Sequence, residues 1–156
     1  MKNKCDKALR TLEEIIRIHE EHKKLVNDDP STHNQTLLDC MRYAVIKRFG
    51  YSVVVFWEHF ENHIKNVESM LMPLPFCEMV IKDSVEVGII TQDEGAACMN
   101  MFNAHYQARY AYEQDCIVAV VEEVPHFYHL MCTITNRLEL LGKKHENANS
   151  IQELNR

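Results

Sequence analysis

Glycine and proline are scarce, with only four of each in 156 residues. A β-sandwich or barrel turns the chain every few residues and draws heavily on both, so an all-β fold is excluded. The glycines stand alone at Gly50, Gly88, Gly95 and Gly142, and no glycine-rich phosphate loop can be built from them. A Gly-x-Ser-x-Gly nucleophile elbow is missing as well. The six cysteines (Cys5, Cys40, Cys77, Cys98, Cys116, Cys132) never occur as Cys-x-x-Cys, so zinc-site spacing is absent. Basic charge is in deficit: 17 Lys and Arg face 23 Asp and Glu, for a formal net charge of −6. Broad, nonspecific DNA binding needs a basic surface and is excluded, which leaves room only for a local basic patch on RNA or a small ligand. Apolar runs are short, and none approaches the ~20 residues that span a bilayer. Residues 1–14 are polar and charged, without the apolar core of a secretory signal. The expectation is a cytoplasmic protein, off the membrane, with reduced and mostly buried thiols.

What is present is helical period. Residues 6–26 carry Leu9, Leu12, Ile15, Ile16 and His19 on one face, with Glu and Lys on the other. The run Asn27-Asp28-Asp29-Pro30-Ser31 breaks that helix. Residues 36–70 form a long second helix, its stripe traced by Met41, Val45, Arg48 or Phe49, Val53, Phe56 or Trp57, Phe60, Ile64, Val67 and Leu71. Residues 51–57 have strand propensity, but the 3.6-residue stripe runs through them unbroken, and period outweighs propensity. Gly50 lies inside this helix, where it costs about 1 kcal/mol against Ala, and marks a bend or a close approach. Pro73 and Pro75 close the element. A short third helix over 76–87 ends at Gly88, a C-cap candidate. Thr91 and Glu94 read as a capping box opening the fourth helix. The fifth covers about 115–141 with Pro125 inside it, where a kink is expected. Residues 142–156 are expected to be a polar, disordered tail. The predicted fold is therefore all-α, an up-and-down bundle of four main helices plus one short helix, with one domain over 1–141.

The richest chemistry lies in the segment MFNAHYQARYAYEQD, residues 101–115. Cys98, Phe102, His105, Arg109 and Tyr112 share one helical face, so an apolar stripe runs into a ring-rich polar patch. Such a patch can stack a base and hold a phosphate. The same spacing also describes a half-buried helix end whose tyrosine hydroxyls reach water, the commoner use of a ring stripe. His59 and His63 sit one turn apart, but Phe60 occupies the place where a metalloprotease helix needs Glu. No further ligands are visible for them, and His126 and His129 are read as packing; neither a metal nor any other cofactor is expected.

Three stretches in order resemble the nucleotidyltransferase substrate-binding family, the HepT-like branch of the HEPN proteins. They are Arg42-Tyr43-Ala44-Val45-Ile46-Lys47-Arg48-Phe49 leading to Trp57, then Val80-Ile81-Lys82-Asp83-Ser84 through Gly88-Ile89-Ile90, and Met101-Phe102 through Tyr112-Glu113 before a last helix with Pro125. The likeness covers about residues 7–141. It implies a homodimer whose cleft carries an Arg–His pair, metal-independent RNA cleavage in active members, and a small nucleotidyltransferase as partner. Here the pattern departs from the family's. His105 takes the Arg position, Tyr110 the His position, and Tyr112 keeps the Tyr that the partner adenylylates in some pairs. Tyr43 and Gly50 stand where the family often has acids. The resemblance thus implies a non-catalytic binding subunit that pairs with a nucleotidyltransferase and binds a nucleotide or RNA through His105, Arg109, Tyr110 and Tyr112. The alternative is a toxin-type ribonuclease, half of a toxin–antitoxin pair, with a variant site built on His105, Arg109 and Tyr110. An apolar excess at residues 53–56, Met99, Met101 and Tyr106 is a second reason to expect a dimer.

Overall fold

The computed structural model of the protein describes residues 2–28, 32–67, 77–110 and 114–154. Five helices fill them: α1 (Lys2–Asp28), α2 (Thr32–Val67), α3 (Cys77–Glu86), α4 (Gln92–Tyr110) and α5 (Gln114–Leu154). No strand occurs among the described residues, and 51–57 are helical as the period predicts. Asn27 and Asp28 of the expected break still belong to α1, while residues 29–31 and the segment holding Leu71, Pro73 and Pro75 lie outside the described residues. α5 stays helical through Pro125 and on to Leu154, so the expected end near residue 141 falls inside the helix.

Cross-helix contacts give the helix directions. Lys4 bonds Glu58 at 2.8 Å and Ser52 donates to the Ala8 carbonyl at 3.2 Å, so α2 runs antiparallel to α1. Cys5 lies 3.9 Å from the Thr135 hydroxyl and Lys23 bonds Glu122 at 2.6 Å, so α5 also opposes α1. Trp57 meets Phe102, and Glu94 meets Arg137, which sets α4 against both α2 and α5. The result is the up-and-down bundle, with α3 packed on α4. Its core takes the predicted α1 and α2 stripes together with Met101 of α4 and an apolar face of α5 for which no stripe is predicted. Leu12, Val45, Phe49, Val53, Phe56, Phe60, Met101, Val124, Met131, Ile134 and Leu138 are all at most 1 % exposed. Full burial of one such Phe contributes about 2–3 kcal/mol.

α2 touches α1, α4 and α5, so its buried arc is wider than one stripe. That corrects the argument from apolar excess: Val53, Val55, Phe56 and Met101 are spent on the chain's own core, and of that set only Val54 and Tyr106 stand exposed. By length and composition the stretch Asp115–Lys143 is apolar enough to cross a membrane, which the short apolar runs of the sequence do not suggest. Its Ile117, Val120, Val121, Val124, Phe127, Met131, Ile134 and Leu138 are core residues here. Two further expectations change. Only Cys5 and Cys98 are fully buried, while Cys40 and Cys116 are exposed; all six thiols are free. His126 and His129 lie on the outer face of α5, because the inward positions of that turn belong to Phe127 and Met131.

The α3–α4 connection follows its local chemistry. Gly88 takes φ of 76°, its N–H reaches the Val85 carbonyl at 3.0 Å, and Ile89 N–H reaches the Ser84 carbonyl at 2.9 Å. This is the paired bonding of a Schellman cap, which only Gly adopts without steric cost. Thr91 N–H donates to the Glu94 carboxylate at 2.8 Å while Glu94 N–H donates to the Thr91 hydroxyl at 3.2 Å, closing the predicted capping box. Arg137 from α5 forks onto both Glu94 oxygens at 2.5 and 2.7 Å and reaches the Ile89 carbonyl at 3.1 Å.

Candidate functional site

The helical stripe on α4 behaves as its spacing predicts at the described positions. Cys98 is buried, Phe102 and His105 are half-buried, and Arg109 is exposed, so the stripe climbs out of the core toward the end of the helix. Tyr112 lies outside the described residues, and so does the side chain of Tyr110. His105 and Arg109 are brought together on one wall of a cleft of about 730 Å³ between α4 and α2. That volume is in the range of small-ligand sites.

The facing wall is α2. Tyr43, Lys47, Gly50, Tyr51 and Val54 line it, with Ile46 behind them. Tyr43, Lys47 and Tyr51 are spaced four apart, one above another on a helix face. Tyr43 is 56 % and Tyr51 50 % exposed, so two phenol side chains are partly open to solvent at the cleft. Sequence reasoning places Tyr43 and Gly50 as departures from a family pattern without marking them as lining residues, and it misses Lys47, Tyr51 and Val54. The signal is available: positions 43, 47 and 51 form a polar and aromatic face opposite the core positions 45, 49 and 53.

His105 is held from behind. Its ring meets Phe49 edge-on, with centroids 6.3 Å apart at 81°, and Phe49 stacks on Phe127 at 5.6 Å and 17°. Burial, then the nearby Arg109 charge, push the imidazole pKa below its ordinary value. At neutral pH the ring is therefore uncharged, with one nitrogen donating and the other accepting. Arg109 sits in the last turn of α4, where the carbonyl end of the helix favours a cation. Lys47 and Arg109 are the cationic side chains among the residues lining the cleft. The cleft presents flat rings, a neutral imidazole and two cationic side chains, a set suited to a planar ligand with an attached anion.

His59 and His63 lie away from this cleft on a half-buried face of α2, and among the described residues no cluster of three metal-ligating side chains occurs.

Over residues 3–140 the chain matches the family described as nucleotidyltransferase substrate binding protein like, and it belongs to that family. A crystal structure of a protein from Thermus thermophilus is similar to it, with a TM-score of 0.66 and 25 % identity over 86 % of this chain and 98 % of that one. No curated protein matches the chain.

Proposed function

We propose that the protein is a non-catalytic binding subunit that dimerises, pairs with a small nucleotidyltransferase and holds a nucleotide in the cleft between α2 and α4. The observation that carries the reading is the convergence of His105 and Arg109 with Tyr43, Tyr51 and Lys47 around one cavity. Family membership supports the substrate-binding role and the choice of partner. The exposed Tyr43, Tyr51 and Val54 beside the cleft supply the apolar surface for a second copy.

The chemistry of the lining favours binding over cleavage. Metal-independent RNA cleavage needs a base for the 2′-hydroxyl and an acid for the leaving oxygen, both matched to neutral pH. Among the lining residues His105 alone has an ordinary pKa near neutrality; the others are Tyr, Lys, Arg or apolar. The ribonuclease reading requires that purified protein cleave RNA and that His105→Ala abolish the cleavage. The expected result is no cleavage by either.

Tyr112 is the proposed acceptor if the partner modifies this chain; its support is its place in sequence, three residues past Arg109. The phenol oxygen would attack the α-phosphorus of ATP, pyrophosphate would leave, and a base of the partner would take the phenol proton. Incubation with the partner and ATP should add adenylate mass to wild type and none to Tyr112→Phe. Equal labelling of the Phe variant, or a label mapped to Tyr106 or Tyr110, would overturn the assignment.

A further inference from the structure

Gly50 sits in the middle of α2 with an ordinary helical backbone; the one glycine of positive φ is Gly88. Nothing in the backbone calls for glycine there. The reason is across the helix interface: a Cβ at position 50 would lie 3.1 Å from Cε1 and 3.2 Å from Nδ1 of His105. These are closer than side chains tolerate without one of them shifting. On the core side the imidazole meets Phe49 edge-on, and Phe49 is fully buried and stacked on Phe127, so that side resists a shift of the ring. The open side of the ring is the cleft. A Cβ at position 50 therefore asks the His105 ring to give by a few tenths of an ångström, and the side that is open to it is the cavity lined by Tyr43, Tyr51 and Arg109; a larger side chain asks for more.

We propose that Gly50 determines what the cleft accepts: by carrying no side chain it lets the His105 ring lie back on α2, and the space opened in front of the ring takes a nucleobase, with the attached phosphate toward Arg109 and Lys47. The inference rests on the nucleotide-binding reading above and gives it a selectivity element. The neutral imidazole offers a donor and an acceptor in one plane, which matches the edge of a base better than it matches a second phosphate. Tyr43 and Tyr51, both on the α2 wall, supply aromatic surface against which a flat ring can stack. A ligand lacking the ring would use only the cationic part of the site.

The test is equilibrium binding of AMP, with ribose 5-phosphate as the ring-less probe, to wild type, Gly50→Ala, Gly50→Val, His105→Ala and the Gly50→Ala/His105→Ala double variant. Wild type should bind AMP at least about ten-fold more tightly than ribose 5-phosphate. Gly50→Ala should weaken AMP by about ten-fold and leave ribose 5-phosphate within about two-fold. Gly50→Val should weaken AMP further. In the His105→Ala background, Gly50→Ala should change nothing, since the ring it displaces is gone. Melting midpoints are read alongside, and Ala is the better helix former, so a binding loss in a Gly50→Ala protein that melts as high as wild type is not unfolding. If Gly50→Val fails to fold, the Ala variants decide alone. Wild type that binds no AMP overturns the nucleotide reading together with this one. Wild type that binds AMP while Gly50→Ala binds it equally, or loses the same factor with and without His105, overturns the role of Gly50 and leaves the binding reading standing.

Discussion

His19 is 2 % exposed on α1, its Nδ1 is 3.4 Å from the Glu20 carboxylate, and its Nε2 is buried with no hydrogen-bond partner among the described residues. Burial lowers its pKa, opposed by Glu20, while Lys23 and Arg42 push the same way as burial. The unfolded chain then binds a proton at higher pH than the folded one, so stability is full above about pH 6.5 and falls as pH drops through the folded pKa. His105 acts in the same direction. The urea midpoint of wild type should therefore fall between about pH 7.5 and about pH 5.5. His19→Leu and His105→Gln should each flatten part of that fall; an unchanged slope in both variants would mean that neither imidazole is the cause.

The α3–α4 connection is the element most fully determined by side chains. Glu94 has its pKa held down to about 2, chiefly by the Arg137 fork, with the Thr91 bonds adding to it. A carboxylate depressed in the folded state stabilises above its unfolded pKa of about 4.5, and that share is lost as pH falls from there toward 2. Arg137 is one-third exposed, so water screens part of the pair and the share is on the order of 1–2 kcal/mol. Glu94→Gln should lower stability by about that amount at pH 7 and by much less at pH 3, which denaturant melts at the two pH values measure. This element was legible in sequence at its ends, since Gly88 and the Thr91–Glu94 pair announce a cap and a start. The Arg137 fork was not, because it comes from a helix 43 residues away and nothing in a local pattern names a long-range partner. The same holds at the site. The stripe from Cys98 to Arg109 could be read from spacing, and Gly50 could be flagged as a bend or a close approach. Which side chain approached it depends on how α4 crosses α2, and period alone leaves that angle open.

At the scale of the molecule, an acidic protein of net charge −6 carries a cleft whose lining charges are Lys47 and Arg109, with no carboxylate among its lining residues. The cleft opens on a face that shows Tyr43, Tyr51 and Val54, all at least 48 % exposed. If two copies pair through this face, light scattering at micromolar concentration should give about twice the 18.3 kDa chain mass. Val54→Asp, a change at an exposed position, should shift the mass toward the single chain without lowering the melting midpoint of the monomer. A mass of one chain at every concentration for wild type would rule out the dimer.

The column of rings formed by His105, Phe49 and Phe127 joins three helices, and the last of them is the last to leave the ribosome. The hairpin of α1 and α2 can close early, with Ser52 bonded to Ala8, and α4 can follow. Until α5 docks, Phe49 has no Phe127 beneath it, and the imidazole has no fixed back wall. The cleft is therefore a late product of synthesis: a chain stalled before residue 127 holds every lining residue of the site and still lacks the site. Ligand occupancy would then report on the docking of α5, since only a molecule with Phe127 in place offers the slot to be filled.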